Sequence, residues 1–386
     1  MTKKMDEIEV PEPRHKGIYD AAVIGGGLVG SAIAYGLRRH LDRVTVLDEG
    51  DSAYRASRGN FGLVWVQSKG MGMPRYGVWT MASAGHWPAL AAELLDKTGV
   101  DVHLEQRGGL HILLSDDEVR DRVKFMTGLL AQPGMSSYEW KLLDRNEVAD
   151  LVPGIGPDVR GATWTPADGI VNPLKLLRAL HIAFARDGVD YRPRQPAGEI
   201  VHAGGVFQIA TPRGTVRAQR IVLAAGLGNP ELGGKVGLTL PIRPQRGQIV
   251  ALERTRRVLE TPIATLRQMD EGSWLIGDSQ EEAGYADQQT GLPVLATLAD
   301  RALRTLPALR EVRVVRSWAA LRIMSQDGFP IYQQSEAFPG AFVATCHSGV
   351  TLAAAHALEL APMIAAGELP GDMAPFSTRR FHVQET

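Results

Sequence analysis

Tyr19-Asp20-Ala21-Ala22-Val23-Ile24-Gly25-Gly26-Gly27-Leu28-Val29-Gly30 decides the fold of this chain. A short apolar run ending at residue 24 reads as a strand, and the three glycines after it read as a turn. Residues 28–37 are small and apolar with helical spacing, and residues 43–47 return to an apolar strand. Strand, glycine turn, helix and strand in so short a span open a doubly wound parallel sheet. Within Gly25-x-Gly27-x-x-Gly30, Gly25 permits the turn, Gly27 lets backbone approach a pyrophosphate, and Gly30 lets helix and strand touch. The helix start offers N–H groups and a positive dipole end to phosphates. Asp48 lies 18 residues past Gly30, where a carboxylate can bond ribose hydroxyls, and an acid there disfavours a 2′-phosphate. The motif implies a dinucleotide without separating FAD from NAD.

Beyond this opening, helical periodicity predicts helices over residues 73–97, 119–130, 174–185 and 294–306, the third begun by Asn172-Pro173. Residues 103–114 read as a strand broken at Gly108-Gly109, and 220–225 as a buried strand ending at Gly226. Residues 242–253, 263–269 and 273–277 read as short β segments suited to an antiparallel sheet. Residues 341–345 form a further strand, followed by His347-Ser348-Gly349 and an alanine-rich helix from Thr351 to about 366. Both ends therefore carry a strand–glycine–helix signature, with β-meander material between. The expected class is α/β: a doubly wound nucleotide-binding domain interrupted by a substrate domain on a mixed, largely antiparallel sheet. Segments 17–98, 152–238 and 322–380 are assigned to the first, 99–151 and 239–321 to the second, and 1–16 to a loose tail.

The chain has 386 residues, 42 Lys+Arg and 43 Asp+Glu, for a formal charge of −1. That length suits two domains, and the balance gives no field to draw nucleic acid or an anionic membrane. The single cysteine, Cys346, excludes an intrachain disulfide, a CxxC pair and a cysteine-rich metal or iron–sulfur site; no metal is expected. The N-terminus is charged and no window reaches the ~18 apolar residues of a membrane span, so the expectation is a cytoplasmic protein.

Four further stretches carry candidate chemistry. Residues 56–65, Ala-Ser-Arg-Gly-Asn-Phe-Gly-Leu-Val-Trp, can wrap a phosphate and an aromatic ring system, or equally form a surface turn into a helix; Arg58 reads equally as a solvated charge. Ala225-Gly226 ends a buried strand, with a cofactor contact as the added claim. Arg322, before Asp327-Gly328-Phe329-Pro330, suits bidentate recognition of a carboxylate, although a lone arginine before a turn is more often ion-paired at the surface. Residues 346–352, Cys-His-Ser-Gly-Val-Thr-Leu, put backbone N–H groups at a helix start. His347 alone reads as readily as a satisfied core histidine, and Ser348 lacks the Gly-x-Ser-x-Gly setting of a hydrolase nucleophile.

Taken together and in this order, these stretches resemble the D-amino-acid oxidase superfamily of FAD-dependent oxidoreductases, with likeness to glycine oxidase, sarcosine oxidase and the flavin subunits of opine oxidases and hydroxyproline dehydrogenases. The resemblance runs from about residue 19 to 366. It is carried by the glycine motif with Val46-Leu47-Asp48, by Arg322 with Asp327-Gly328 and Pro330, and by residues 347–352. Pro241, Arg243-Pro244, Arg246-Gly247-Gln248 and Gly277-Asp278 resemble landmarks of the substrate domain. Residues 57–67 resemble the opine-oxidase and hydrogen-cyanide-synthase flavin subunits.

The resemblance implies non-covalent FAD, with Leu28, Val29 and Gly30 at the pyrophosphate and Asp48 with Glu49 at the adenosine ribose. It implies Ser57, Asn60, Phe61 and Gly62 beside the flavin, Ala197 at the adenine, Ala225 and Gly226 near the cofactor, and His347, Ser348, Gly349, Val350 and Thr351 along the isoalloxazine edge. Arg322 matches the arginine that grips the substrate carboxylate, with His347 and Gln280 as further substrate contacts. Departures fall in the pocket: Ile323 follows Arg322, Cys346 replaces a glycine, and glycine oxidase has arginine where His347 aligns and methionine near Gln280. They turn the expected substrate away from free glycine, towards an N-substituted amino acid of N-carboxymethyl, iminodiacetate-like or opine type. The expected reaction is hydride transfer to flavin N5, giving an imine that water cleaves to an amine and a 2-oxo acid (glyoxylate from a carboxymethyl group), with O2 reduced to H2O2. An alternative passes electrons to an iron–sulfur partner chain. From other classes, a non-catalytic flavin-binding protein and an NAD-dependent dehydrogenase are weighed, the latter leaving Arg322 and residues 347–352 unexplained.

Overall fold

The computed structural model describes residues 17–50, 55–136, 138–277, 279–285 and 287–381. The expected tail 1–16 and Asp278 lie outside the described residues. β1 (Tyr19–Ile24) sits in the middle of the first sheet, parallel to β2 (Val44–Leu47) on one side and to Gly214–Leu223 on the other. The sheet continues through Ala341–Thr345 to an antiparallel edge at Ile331–Gln334, and through β2 to Asp190–Arg192. β1 and β2 are almost continuously apolar because both faces are covered. On one face α1 (Leu28–Leu37) packs with Pro74–Thr98, Pro173–Arg186 and the C-terminal helical run. On the other, the Ile200–Ala203 and Val206–Thr211 hairpin supplies Phe207 and Ile209, the helix Asn229–Gly234 supplies Leu232, and the segment after it supplies Leu238.

The second sheet is built on two long strands, Ile242–Arg254 and Val314–Ser325, paired antiparallel from Ile242 opposite Ser325 to Leu252 opposite Val314. Leu266–Gln268, Ser273–Ile276 and Glu281–Glu282 extend it. The meander Gly109–Leu113, Gly161–Thr165 and Lys141–Asp144 joins through a bridge between Leu110 and Ile263. This sheet has its own core around Leu110, Ile112, Ile263, Trp274 and Leu298. The fold is mixed α/β with a doubly wound layer and a largely antiparallel second layer, as expected. We propose 17–98, 152–238 and 322–380 as the nucleotide-binding part and 99–151 and 239–321 as the substrate part, with Gly161–Thr165 and Val314–Ser325 crossing between them.

Local signals set several helix ends. Ser115 accepts from Glu118 N at 3.2 Å to begin Asp116–Leu130, and Asn172 accepts from Lys175 N at 3.2 Å to begin Pro173–Arg186. The last helix departs from its expected start at Thr351: it begins at Ala353, and a π turn over His356–Leu360 interrupts it before Ala361–Ala366. Pro362 has no N–H for the carbonyl four residues back, so the turn ahead of it widens. The expected strand over 103–114 shortens to Gly109–Leu113, because Gly108 adopts φ +88° against the Trp164 indole.

Burial holds His111 and His356 neutral, each pushed down to about 3, while burial pushes the Asp168 carboxyl up to about 7. Below the ordinary histidine value of about 6.5 the unfolded chain binds protons that both folded histidines refuse, so stability is lost as pH falls towards 3. Asp168 acts oppositely between about 4 and 7, holding a proton the unfolded chain releases. With His347 in the same sense as the other two, the histidines outweigh it. Thermal midpoints are expected to fall steadily from pH 6.5 to pH 4.5; a level or rising profile in that window would contradict this accounting.

Candidate active site

The glycine motif, the 56–65 segment and the 346–352 turn converge where the two layers meet. Asp48 holds the glycine turn closed: Oδ2 accepts from Gly26 N at 2.6 Å and Oδ1 from Gly50 N at 2.8 Å. Each oxygen keeps a lone pair for a hydroxyl donor. Gly25 takes φ +112°, and any Cβ on Gly30 would lie 1.9 Å from the Gly25 carbonyl, so strand and helix touch only through glycine. Ser57 Oγ accepts from Leu28 N at 2.9 Å, tying the second segment to the helix start. Asn60 donates to the carbonyls of Ala56 and Ser57 at 3.3 and 3.0 Å, closing the short helix Ala56–Gly59. Arg267 Nη1 donates to Phe61 O at 2.5 Å and Trp318 Nε1 to Gly59 O at 3.1 Å, so the second sheet clamps this segment.

Thr351 fastens the C-terminal turn. Its Oγ1 donates to Leu63 O and accepts from Trp65 N, both at 3.1 Å, and its carbonyl accepts from Ser83 Oγ at 2.7 Å and Trp87 Nε1 at 3.1 Å. These bonds hold Thr351 out of the helix and account for the later helix start. Ser348 Oγ lies 2.9 Å from the Tyr76 hydroxyl and 3.1 Å from His347 Nε2, and Lys69 Nζ donates to the same nitrogen at 2.9 Å. His347 is pushed well below its ordinary value, first by burial and then by the Lys69 and Arg322 charges, while a bond to the Gly328 backbone opposes the shift. It is therefore neutral, with one ring nitrogen taken by Lys69.

Two cavities result. One of about 450 Å³ is lined by Gly25, Gly27, Asp48, Glu49, Ser57, Arg58, Ala197, Ala225 and Gly226. The other, about 480 Å³, is lined by Leu28, Val29, Ser57, Asn60, Phe61, Gly62, Gln280, Arg322 and residues 346–351. They share Ala56, Ser57, Leu321 and Ile323 as walls. All the site residues expected from sequence line one cavity or the other except Gly30, which packs under the turn. Glu49 also pairs with Arg55 at the rim of the first.

Arg322 projects from Val314–Ser325 into the second cavity, and its Nη1 donates to Ser279 O at 2.7 Å and to Arg246 O at 3.4 Å. A Cβ on Gly247 would lie 2.6 Å from three guanidinium atoms, so glycine there makes room for the arginine. Sequence reading missed Gly247 in this role. It also missed Lys69 and His111 on the same walls, which fall in no recognisable motif, and Gln245 and Met324, which lie within the stretches around Arg246 and Arg322. The paired chambers suit a flavin dinucleotide: a glycine turn and carboxylate on one side, and on the other a wider space walled by Phe61, Trp65 and Ile249.

Residues 20–363 match the family of FAD dependent oxidoreductases designated DAO. An opine oxidase subunit from Agrobacterium tumefaciens (strain Ach5) is 46% identical over 366 residues, covering 95% of this chain and 98% of that protein. The Rhizobium meliloti protein of the same name is 43% identical with the same coverage. Among solved structures, glycine oxidase from Geobacillus kaustophilus superposes with a TM-score of 0.85 at 27% identity, covering 95% of this chain and 99% of that one. Among the described residues no helix is long and apolar enough to cross a membrane. The chain belongs to the DAO family, and is an FAD-dependent oxidoreductase acting on amine or amino-acid donors.

Proposed function

We propose that this chain oxidises the C–N bond of an N-substituted α-amino acid, of N-carboxymethyl or opine type, as the flavin-carrying member of a multi-chain oxidase. The observation that carries the substrate half is Arg322, seated over Gly247 in the same cavity as residues 346–351. Bound FAD supplies the two-electron acceptor for the Cα hydride. The first cavity suits its adenosine end, with Asp48 and Glu49 for the ribose and Ala197, Ala225 and Gly226 for adenine and backbone contacts. Ser57 and residues 60–62 and 347–351 suit the flavin. Cys346 is buried and its thiol is pushed up to about 12, which supports a cofactor held without a covalent link.

Arg322 fixes the substrate carboxylate and so aims the Cα–H, with positioning supplying much of the rate. The amine reacts as the free base, its lone pair forming the C=N bond as hydride leaves. His347 is neutral and committed to Lys69, so its work is to shape the wall of the cavity that Gln280 also lines rather than to remove a proton. Water then adds to the imine and releases an amine and a 2-oxo acid, glyoxylate where the departing group is carboxymethyl.

The two relatives named as opine oxidase subunits support electron passage to a partner chain; the glycine oxidase likeness supports the second reading, direct reduction of O2 to H2O2. Anaerobic reduction by substrate followed by admission of air separates them. Flavin colour that returns only over many minutes, with little peroxide, is the expected result for the isolated chain. Recovery within seconds with stoichiometric peroxide would establish the oxidase reading instead.

A further inference from the structure

The loop after Leu63–Val64 carries Lys69 and is held with unusual thoroughness. Asp168 Oδ1 accepts from Val66 N at 2.5 Å and Gln67 N at 3.3 Å, and Oδ2 accepts from Gln67 Nε2 at 2.7 Å. Arg122 reaches the same loop, donating to Gln67 Oε1 and Ser68 Oγ, both at 2.9 Å. Asp168 and Gln67 are fully buried and Arg122 nearly so. Gln132 closes the far side through Gly70 O at 3.0 Å and Gly72 N at 2.7 Å.

This scaffold imposes strain. Ser68 adopts φ +103°, a region costly for any residue with a Cβ. Such strain persists only where the surroundings over-determine it, and it gathers at functional positions. Its effect here is to turn the next residue into the second cavity, where Lys69 Nζ stands 2.9 Å from His347 Nε2. The Lys69 and Arg322 charges both bear on His347, so two cations border one imidazole on one cavity wall. One carboxylate needs only one of them. A secondary amine with a carboxylate on each side of its nitrogen needs both.

We propose that Lys69 is a second anion anchor. It takes the carboxylate on the far side of the substrate nitrogen, so that with Arg322 the cavity selects dicarboxylate secondary amines over monocarboxylate ones. The inference rests on the substrate reading above and adds its specificity. Holding two carboxylates also fixes the nitrogen between them, which decides the Cα presented for oxidation.

Thioether analogues test this without turnover, because sulfur replaces the oxidisable amine. Binding of thiodiacetate and (methylthio)acetate to the FAD-loaded protein, with any co-purifying partner, is measured by calorimetry for wild type, Lys69→Met and Lys69→Arg. The wild type is expected to prefer the diacid by about thirtyfold or more. Lys69→Met is expected to erase most of that preference while holding the monoacid within about threefold, and Lys69→Arg to retain it. No preference in the wild type, or an equal loss of both ligands in Lys69→Met, would overturn the assignment and leave Lys69 as a support for His347. Failure of the underlying substrate reading looks different: neither acid binds the wild type at all.

Discussion

Replacing Arg322 with alanine is expected to lower kcat/KM for a carboxylate-bearing amine by about two to three orders of magnitude, an estimate from the ~2–5 kcal/mol cost of truncating one partner of a desolvated, hydrogen-bonded charge pair. The guanidinium already donates to Ser279 O and Arg246 O and lies against Gly247, so it is positioned before substrate arrives and little ordering cost remains. Arg322→Lys should recover only part of the loss, because a point charge cannot grip a carboxylate with two parallel bonds. Gly247→Ala should reproduce the defect by pushing the guanidinium aside. Steady-state kinetics on all three, with flavin content measured alongside, checks the claim. An Arg322→Ala protein that binds FAD normally and keeps wild-type kcat/KM would remove Arg322 from the site.

The second large effect concerns stability. Asp168→Ala leaves Val66 N, Gln67 N and the Gln67 amide without their acceptor and strips the carboxylate whose charge bears on Arg122, all in buried surroundings. Leaving buried donors without an acceptor costs about 1–3 kcal/mol for each group. Urea unfolding followed by tryptophan fluorescence should show a clearly lowered midpoint. Asp168→Asn should lose less, since an amide oxygen can still accept from the two backbone N–H groups. A midpoint unchanged within error for Asp168→Ala would mean the loop does not depend on this carboxylate.

Legibility from the sequence followed the range of the signals. The Gly25–Gly30 turn and the Asn172 cap are determined by residues within a few positions of one another, so pattern alone reaches them, whereas the Ser115 cap was passed over and its helix expected only from residue 119. Arg322 and the 347–351 turn were reachable because their spacing resembles a family whose members share the site. Lys69, Gly247 and the Asp168–Arg122 network were not. Each matters through a partner far along the chain: Lys69 through His347, Gly247 through Arg322, Asp168 through Val66 and Gln67. A lysine between serine and glycine, or an aspartate in a turn, has the composition of an ordinary surface loop. The π turn at His356–Leu360 was hidden for a different reason: the alanine-rich run around it favours helix throughout, and only Pro362 interrupts the ladder.

On the proposed function, the cavity holding Arg322 presents a carboxylated secondary amine for oxidation. Anaerobic titration of the FAD-loaded protein with iminodiacetate, N-(1-carboxyethyl) amino acids, sarcosine and glycine, read as loss of flavin absorbance, tests it most directly. Full bleaching by at least one N-carboxyalkyl amino acid is expected, with a 2-oxo acid recovered in proportion to flavin reduced, and little or none by free glycine. A flavin that dithionite bleaches but none of these amines can reduce would contradict it.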